Sequence, residues 1–223
     1  MRKITITFLL LLLLSNLTFA QESNCVRKAD FGAIEICFPQ IEGYQECYSD
    51  PTVKQLADQT EVPANMVLGF YLNDKTFEKK DSLGLFSFDD YFKIYGTKQI
   101  KDYKADSELL KQMQDILGGN FISKNWETME KEVEKIGLAA EIGVPIVIKS
   151  YNLNENSFTY VMLTTYQIDE AEPYTLAMTI NGLLINERLI WMAYYLNYEG
   201  EKTILKLQKS SNTIVAKLLN TES

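Results

Sequence analysis

RLIWMAYYLNY, residues 188–198, is the stretch of sequence that decides the fold. Both of its alternating sets of side chains are apolar: Leu189, Trp191, Ala193 and Tyr195 form one set, and Ile190, Met192, Tyr194 and Leu196 form the other. A strand with two apolar faces lies inside a sheet that is covered on both sides. We therefore predict a central strand over Arg188–Tyr198, with helices supplying the covering layers.

A second long strand is predicted immediately before it, over Tyr174–Ile185. Two turns compete to join the pair. Asn181-Gly182 is the stronger local hairpin signal, but it leaves only a stub over Leu183–Ile185. A turn at Asn186-Glu187 gives two long strands that bury more apolar surface. We therefore predict the turn at Asn186-Glu187 and interpret Gly182 as a β-bulge.

The other elements follow from hydrophobic periodicity and capping residues. Further strands are predicted over Ala33–Phe38, Tyr44–Tyr48, Met66–Leu72, Tyr91–Gly96, Val144–Lys149 and Phe158–Gln167. Helices are predicted after the N-cap Asp50, from Ser107 to the stop at Gly118-Gly119, after the cap Ser123, and over Glu201–Leu219. The expected fold class is α+β, an α/β/α sandwich with a mainly antiparallel sheet covered by helices.

Residues 1–20 have the three parts of a secretory signal peptide. Arg2 and Lys3 form the basic region, the apolar run is centred on Leu9–Leu14, and Thr18-Phe19-Ala20 places small residues before the cleavage site. The run from Ile4 to Leu14 is too short for a bilayer, which needs about 20 residues. We therefore expect an exported protein, periplasmic or extracellular, with one globular α/β domain over residues 21–223 and no membrane span after cleavage.

Composition excludes several classes of function. The chain contains no histidine, which removes Ser-His-Asp and Cys-His nucleophiles and His-ligated zinc sites. Its 22 basic and 30 acidic residues give a formal net charge of −8, and loss of Arg2 and Lys3 with the leader makes it −10. Such a charge repels nucleic-acid phosphates, so we expect no nucleic-acid partner. No phosphate-cradling or dinucleotide-binding glycine motif is present, and we expect no cofactor.

All three cysteines, Cys25, Cys37 and Cys47, lie within 23 residues near the new N-terminus. One interpretation is a single disulfide with one thiol left over, as an oxidising compartment favours. Three pairings are open, and the sequence does not choose among them. The other interpretation is three reduced, buried thiols. A redox-active role is less favoured because the chain has no Cys-x-x-Cys pair.

Reactive groups are sparse. The acidic pairs Asp89-Asp90 and Asp169-Glu170 are interpreted as solubilising charge, although a carboxylate-dependent hydrolase would need two such groups across one cleft. Lys149-Ser150 is interpreted as the polar end of a strand. Asn152–Asn156 starts like a calcium loop but fails at its diagnostic positions. We expect no catalytic residue and no metal ligand.

The 13 tyrosines and 2 tryptophans are a further place to look for a binding surface. Four of them, Trp191, Tyr194, Tyr195 and Tyr198, are expected to pack in the core. Tyr44 and Tyr48 share one face of a short early strand. We therefore predict that any surface contact uses Tyr44 and Tyr48.

Three segments carry a family resemblance: Ile36-Cys37-Phe38-Pro39, Asn65–Leu72, and Ile185–Ile190 followed by Tyr194-Tyr195. They are similar to segments of secreted bacterial proteins of unassigned function. The order of elements over most of residues 30–220 resembles the PsbP/DcrB-like α/β/α sandwich. The resemblance implies an envelope-associated accessory or binding role and supplies no catalytic residues.

The preferred hypothesis is therefore an exported, non-catalytic envelope binding or accessory module. Its partner would be an unknown envelope protein or a small ligand. One alternative is a carboxylate-dependent hydrolase of cell-wall or extracellular glycans. The other is a structural component of an envelope assembly.

Overall fold

A computed structural model describes residues 25–78, 88–118, 121–134, 140–168 and 172–221. The expected signal peptide over residues 1–20 and the Asp169-Glu170 pair lie outside the described residues. The strands are β1 (Cys25–Phe31), β2 (Ile34–Pro39), β3 (Tyr44–Glu46), β4 (Asn65–Asn73), β5 (Asp90–Thr97), β6 (Ala140–Ile142), β7 (Ile146–Asn154), β8 (Ser157–Ile168), β9 (Tyr174–Ile185) and β10 (Arg188–Asn197). The α-helices are α1 (Pro51–Gln59), α2 (Asp74–Glu78), α3 (Ser107–Gly118), α4 (Phe121–Lys124), α5 (Trp126–Glu134) and α6 (Glu201–Thr221).

Within the described ranges, strands β3 to β10 form one antiparallel sheet. Its order is β3-β4-β5-β10-β9-β8-β6, and β7 pairs with another part of β8. Strands β1 and β2 form a separate antiparallel hairpin. Helices lie against both faces of the sheet, so the predicted antiparallel sheet covered by helices is confirmed.

The central position predicted for residues 188–198 is also confirmed. Strand β10 lies between β5 and β9, and every residue from Arg188 to Tyr194 is buried. Its alternate residues enter different apolar clusters, Ile190 and Met192 on one face and Leu189 and Trp191 on the other. The two-faced apolar pattern therefore corresponds to two separate layers of core.

The turn between β9 and β10 is the predicted Asn186-Glu187. Both residues have positive φ, 46° and 58°, as a two-residue type I′ hairpin requires. The bulge expected at Gly182 is wrong, because the register runs without a shift through Gly182, which lies opposite Trp191 on one side and Phe158 on the other. A Cβ atom at Gly182 would lie 2.4 Å from Cε1 of Phe158. The glycine therefore makes room for a ring and does not interrupt the ladder.

One face of the sheet is covered by α6 together with the β1–β2 hairpin. Four residues of the predicted helix stripe, Leu207, Ile214, Val215 and Leu218, are at most 1% exposed. They share an apolar cluster with hairpin residues such as Phe31 and Phe38 and with Phe92 and Tyr194 of the sheet.

The opposite face is covered in two separate parts. Helix α1 packs Val53 and Ala57 against Phe70 and Leu72 of β4. Helix α3 belongs to a cluster with β8 and β10. The cleft that forms the candidate site opens on this same face, with Leu56 and Phe70 in its lining.

Two local predictions differ from the structure. Strand β1 was not expected, because its inward positions include Arg27 and Ala29, so its sequence has no bulky apolar alternation. Ser123 lies inside the four-residue helix α4 and does not cap the next helix, which begins at Trp126. No helix in the described part of the chain combines the length and apolar character needed to cross a membrane.

Candidate functional site

A cleft of about 1020 Å³ opens on the sheet face that α1 and α3 cover only in part. It reaches from Leu56 and Thr60 of the α1 region to Ile142 of β6. Its aromatic lining consists of Phe70, Phe88, Tyr91, Tyr166, Tyr174, Tyr195 and Tyr198. We call it the tyrosine cleft, after Tyr91, Tyr166, Tyr174, Tyr195 and Tyr198.

Strand alternation places these side chains on one face. Successive residues of a strand point to opposite sides of the sheet. In β5, Tyr91 and Lys93 line the cleft. Phe92, between them, lies in the apolar cluster formed by α6, the β1–β2 hairpin and the other face of the sheet, which we call the α6 core. In β10, Tyr195 lines the cleft, whereas Tyr194 lies in the α6 core.

The rings on the β4, β5 and β10 side form a stack. Tyr91 lies between Phe70 and Tyr195, with ring centroids 5.3 and 4.8 Å away and interplanar angles of 13° and 16°. Phe88 contacts the rings of Phe70 and Tyr91 edge-on. Because side chains stand roughly perpendicular to a sheet, stacked rings on neighbouring strands present their edges to the space above it. The stack holds these rings in fixed positions.

A second pair of rings lies on the β8 and β9 side. Tyr166 and Tyr174 are directly opposite in the ladder and stack with centroids 5.9 Å apart. The cleft is therefore lined by aromatic groups contributed by both halves of the sheet, with the apolar side chain of Leu176 also in the lining.

The phenol groups of the cleft differ from most of those elsewhere in the protein. Of the eight tyrosines outside the cleft, only Tyr95 and Tyr103 have hydroxyls without a hydrogen bond among the described residues. Six tyrosines outside the cleft have hydroxyls bonded to protein groups: Tyr44, Tyr48, Tyr71, Tyr151, Tyr160 and Tyr194. The hydroxyls of Tyr91, Tyr166, Tyr174, Tyr195 and Tyr198 make no hydrogen bond in the part of the chain that the structure describes. For Tyr91, Tyr166 and Tyr195, which are half-buried, the hydroxyl is not among the fully buried, unpaired polar atoms of that part, so it reaches solvent. Tyr174 and Tyr198 are 40% and 37% exposed.

Burial raises the pKa of four of these phenols, those of Tyr91, Tyr166, Tyr174 and Tyr195. Loss of solvation raises the pKa of Tyr166 to about 12. The same cause raises the pKa of Tyr91, Tyr174 and Tyr195. At neutral pH each group therefore carries its proton and can both donate and accept a hydrogen bond.

The charged groups of the cleft have protein partners. Lys93 Nζ lies 2.5 Å from Oε2 of Glu61, and the two side chains are 14% and 7% exposed. Glu61 also accepts a hydrogen bond from Asn65 Nδ2 at 2.9 Å. Asp89 accepts one from Asn197 Nδ2 at 3.0 Å. Among the residues that the structure describes, the polar side chains of the lining without protein partners are thus mainly neutral phenols.

The acidic pair Asp89-Asp90 does not form one site. Asp89 lines the cleft, whereas Asp90 accepts hydrogen bonds from Tyr44 and Tyr194 at 2.8 and 3.1 Å on the α6 side. Its other oxygen pairs with Lys206 at 2.8 Å. Consecutive residues at the start of β5 point to opposite faces, so the two carboxylates cannot act on one bond. Lys149-Ser150 lies on the exposed strand β7.

The surface contact predicted at Tyr44 and Tyr48 needs correction. Tyr44 is only 6% exposed and packs edge-on against Phe92 and Tyr194 in the α6 core. Tyr48 is half-buried near α1, with the guanidinium of Arg27 5.2 Å from its ring centroid. The reason is that β3 ends at Glu46, so alternation does not continue to Tyr48 and the two rings lie in different clusters.

The cysteines divide into one pair and one thiol. Cys25 and Cys37 form a disulfide across the β1–β2 hairpin, with Cα atoms 5.3 Å apart. Cys47 is free, 3% exposed and packed in the α1 cluster. Burial raises the pKa of the Cys47 thiol to about 11.

Sequence reasoning missed the tyrosine cleft. It assigned Tyr195 and Tyr198 to the core, although Tyr195 is only partly buried and Tyr198 is 37% exposed. The sequence signal that could have indicated the cleft is that four predicted strands each carry a tyrosine near one end. Their convergence depends on strand order and register, which pair Tyr91 with Tyr195 and Tyr166 with Tyr174.

Within the described ranges, no group of three or more Cys, Asp or Glu residues is arranged to hold a metal ion. Comparison with known proteins gives little more. No protein-family model and no curated protein sequence matches the chain.

Two solved structures of Mog1 are similar in part. The Ran-binding protein Mog1p of Saccharomyces cerevisiae is 11% identical, with 87% of this chain and 89% of that chain covered and a TM-score of 0.31. A Mog1 point mutant is 10% identical, with 87% and 90% covered and a TM-score of 0.30. Likeness at this level assigns the chain to no family.

Proposed function

We propose that this chain is an exported, non-catalytic binding or accessory protein of the cell envelope, and that it binds its ligand in the tyrosine cleft. Under this proposal, residues 1–20 are an export signal, and the chain is related to the PsbP/DcrB-like proteins that it resembles. The ligand is taken to be a small molecule or an exposed part of an envelope component.

The observation that carries the proposal is the set of cleft phenols that have no hydrogen-bond partner among the described residues. Buried or half-buried polar groups are normally satisfied within a protein or by water. Six of the eight tyrosine hydroxyls outside the cleft follow that rule within the protein, and those of Tyr71 and Tyr160 do so through backbone carbonyls. Binding pockets are typically apolar and aromatic with a few converging polar groups, and the tyrosine cleft has this composition.

The same geometry favours binding over catalysis. The two carboxylates in the lining, Glu61 and Asp89, are each held by a neighbouring side chain. The phenols of Tyr91 and Tyr195 are protonated at neutral pH, and burial raises the pKa of both groups further. The arrangement offers hydrogen bonds and ring surface to a ligand and supplies no activated nucleophile.

A binding screen tests the proposal. The full chain is expressed with its leader in a bacterial host, and the purified product is screened by thermal shift against peptides, sugars and small metabolites. We expect an N-terminus at Gln21 and at least one stabilising ligand. Tyr174→Ala removes a cleft ring that is 40% exposed, and it should weaken binding of that ligand at least tenfold.

Tyr103→Ala is the matched control, because Tyr103 is 62% exposed and lies outside the cleft lining. It should leave binding unchanged. Retention of residues 1–20 in the cytoplasm would contradict export. Failure of Tyr174→Ala to weaken any ligand would contradict the binding site. Turnover of a cell-wall or extracellular glycan that is lost in Glu61→Gln would favour the carboxylate-dependent hydrolase instead.

A further inference from the structure

We propose that the ligand of the tyrosine cleft is a neutral oligosaccharide. This inference rests on the proposed function and names the chemical class that the same cleft would bind. Three properties of the lining lead to it: its ring surfaces, its unpartnered phenols and its charge.

The ring edges that the stacks present to the cleft consist of apolar C–H groups, which call for a ligand with apolar faces. Phe70, Tyr91 and Tyr195 form one stack, and Tyr166 with Tyr174 forms another. A pyranose ring has C–H groups on its faces and hydroxyls around its edge. It can therefore contact aromatic carbon and exchange hydrogen bonds at the same time.

The phenols exclude a purely apolar ligand. Five hydroxyls in the lining have no hydrogen-bond partner among the residues that the structure describes. An apolar occupant would remove water from them without replacing its hydrogen bonds, which is unfavourable for each group. Because a phenol and a sugar hydroxyl are each both donor and acceptor, the two sets satisfy one another.

The charge of the lining disfavours ionic ligands. Lys93, the cation of the lining, is paired with Glu61 at 2.5 Å. The remaining charge is the carboxylate of Asp89, on a chain whose formal net charge is −8. An anion would meet repulsion without a free cation among the described lining residues to compensate, and a cation would find a carboxylate already bound to Asn197.

The extent of the cleft favours a chain of sugars over a single ring. Its lining draws residues from β4, β5, β10, β9 and β8, which are consecutive in the sheet. Neighbouring strands lie about 4.8 Å apart, so this row spans roughly 19 Å. An extended oligosaccharide matches a row of strands of that length and the volume of about 1020 Å³.

Calorimetric titration of the purified, processed protein tests the inference. The probes are cellohexaose, chitohexaose and maltohexaose, with a hexamer of galacturonic acid as the anionic counterpart. We expect at least one neutral hexamer to bind and the galacturonate hexamer not to bind. Tyr166→Phe and Tyr174→Phe remove only a hydroxyl, and each should weaken binding about threefold to tenfold, the effect of one lost hydrogen bond.

Tyr103→Phe is the control, and its affinity should equal that of the unaltered chain. The inference fails if none of the three neutral hexamers binds at millimolar concentration, if the galacturonate hexamer binds as tightly, or if neither cleft variant weakens binding. If another class of ligand from the screen still depends on Tyr174, only the oligosaccharide inference is lost. If no ligand depends on Tyr174, the proposed function fails as well.

Discussion

Gly182 shows how one missing side chain supports the packing of the central sheet. The ring of Phe158 occupies the space where a Cβ atom of residue 182 would lie, at 2.4 Å from Cε1. Phe158 is fully buried and packs edge-on against Trp191, so its ring has little room to move. The absence of a Cβ therefore allows this ring to close the α3 side of the core.

Gly182→Ala should destabilise the protein. Adding a methyl group to a filled core forces neighbouring side chains from their positions, and we expect the free energy of unfolding to fall by about 1–3 kcal/mol. Urea denaturation followed by circular dichroism measures the change. Gly143→Ala is the control, since its nearest atoms would be at 3.5 Å, in ordinary contact. Equal stability of the two variants would refute the packing argument.

The Cys47 thiol gives a second prediction at the residue scale. Burial raises its pKa to about 11, and its side chain is almost inaccessible. In the native protein at pH 8 we therefore expect a thiol reagent such as DTNB to react far more slowly than with glutathione. One thiol should react rapidly after unfolding in urea. A native labelling rate equal to that of glutathione would show that the thiol is exposed.

At the element scale, the β1–β2 hairpin depends on its disulfide. The bond between Cys25 and Cys37 spans a sequence separation of 12, and closing a loop of that size restricts the unfolded chain by about 3 kcal/mol. Replacing both cysteines by alanine should lower the free energy of unfolding by up to this amount, measured by urea denaturation without reductant. Reductant should destabilise the unaltered chain similarly and have no further effect on the double variant.

The β9–β10 turn gives another prediction at this scale. Glu187 has a φ of 58°, which is unfavourable for a residue with a Cβ and is free of strain for glycine. Its ion pair with Lys104 is exposed and contributes little. Glu187→Gly should therefore raise the free energy of unfolding by about 1 kcal/mol in thermal or urea denaturation.

Glu187→Ala separates the two effects. Alanine loses the ion pair with Lys104 and keeps the backbone strain, so it should not stabilise the protein. If alanine stabilised the hairpin as much as glycine, the positive φ would not be the cause.

At the scale of the whole molecule, the buried tyrosines determine the response to alkaline pH. Loss of solvation raises the pKa of Tyr71, Tyr91 and Tyr195 in the folded chain above the value of about 10 in the unfolded chain. Above that pH the unfolded chain binds fewer protons than the folded chain. Stability therefore decreases as pH rises beyond about 10, and this contribution is constant below about pH 9.

Urea denaturation between pH 7 and pH 11 measures this decrease. Phenolate absorbance at 295 nm should rise together with the loss of the circular dichroism signal, because these phenols ionise on unfolding. Tyr91→Phe removes a titrating group that has no hydrogen-bond partner in the described structure. The free energy of unfolding of this variant should therefore decrease less between pH 7 and pH 11 than that of the unaltered chain. Complete ionisation of the tyrosines in a chain that stays folded would contradict the prediction.

Much of the fold was predictable from the sequence, because the spacing of apolar residues along a strand or helix indicates which of its faces is buried. The two-faced apolar pattern of β10 located the centre of the sheet, and the stripe around Leu207 and Val215 located the helix that covers it. The bulge expected at Gly182 was wrong because its cause is the ring of Phe158, 24 positions earlier in the chain. Tyr44 was assigned to the surface because the end of β3 at Glu46 has no clear sequence signal.

The sequence by itself determined which segments are strands and helices and where the longest hairpin turns, because alternation, amphipathic periodicity and turn residues act over a few positions. It also excluded histidine-based chemistry. Only the tertiary structure decided that the phenols of Tyr91 and Tyr195 meet those of Tyr166 and Tyr174 over one face of the sheet. The physical reason is that strand order and register depend on contacts between residues far apart in the chain.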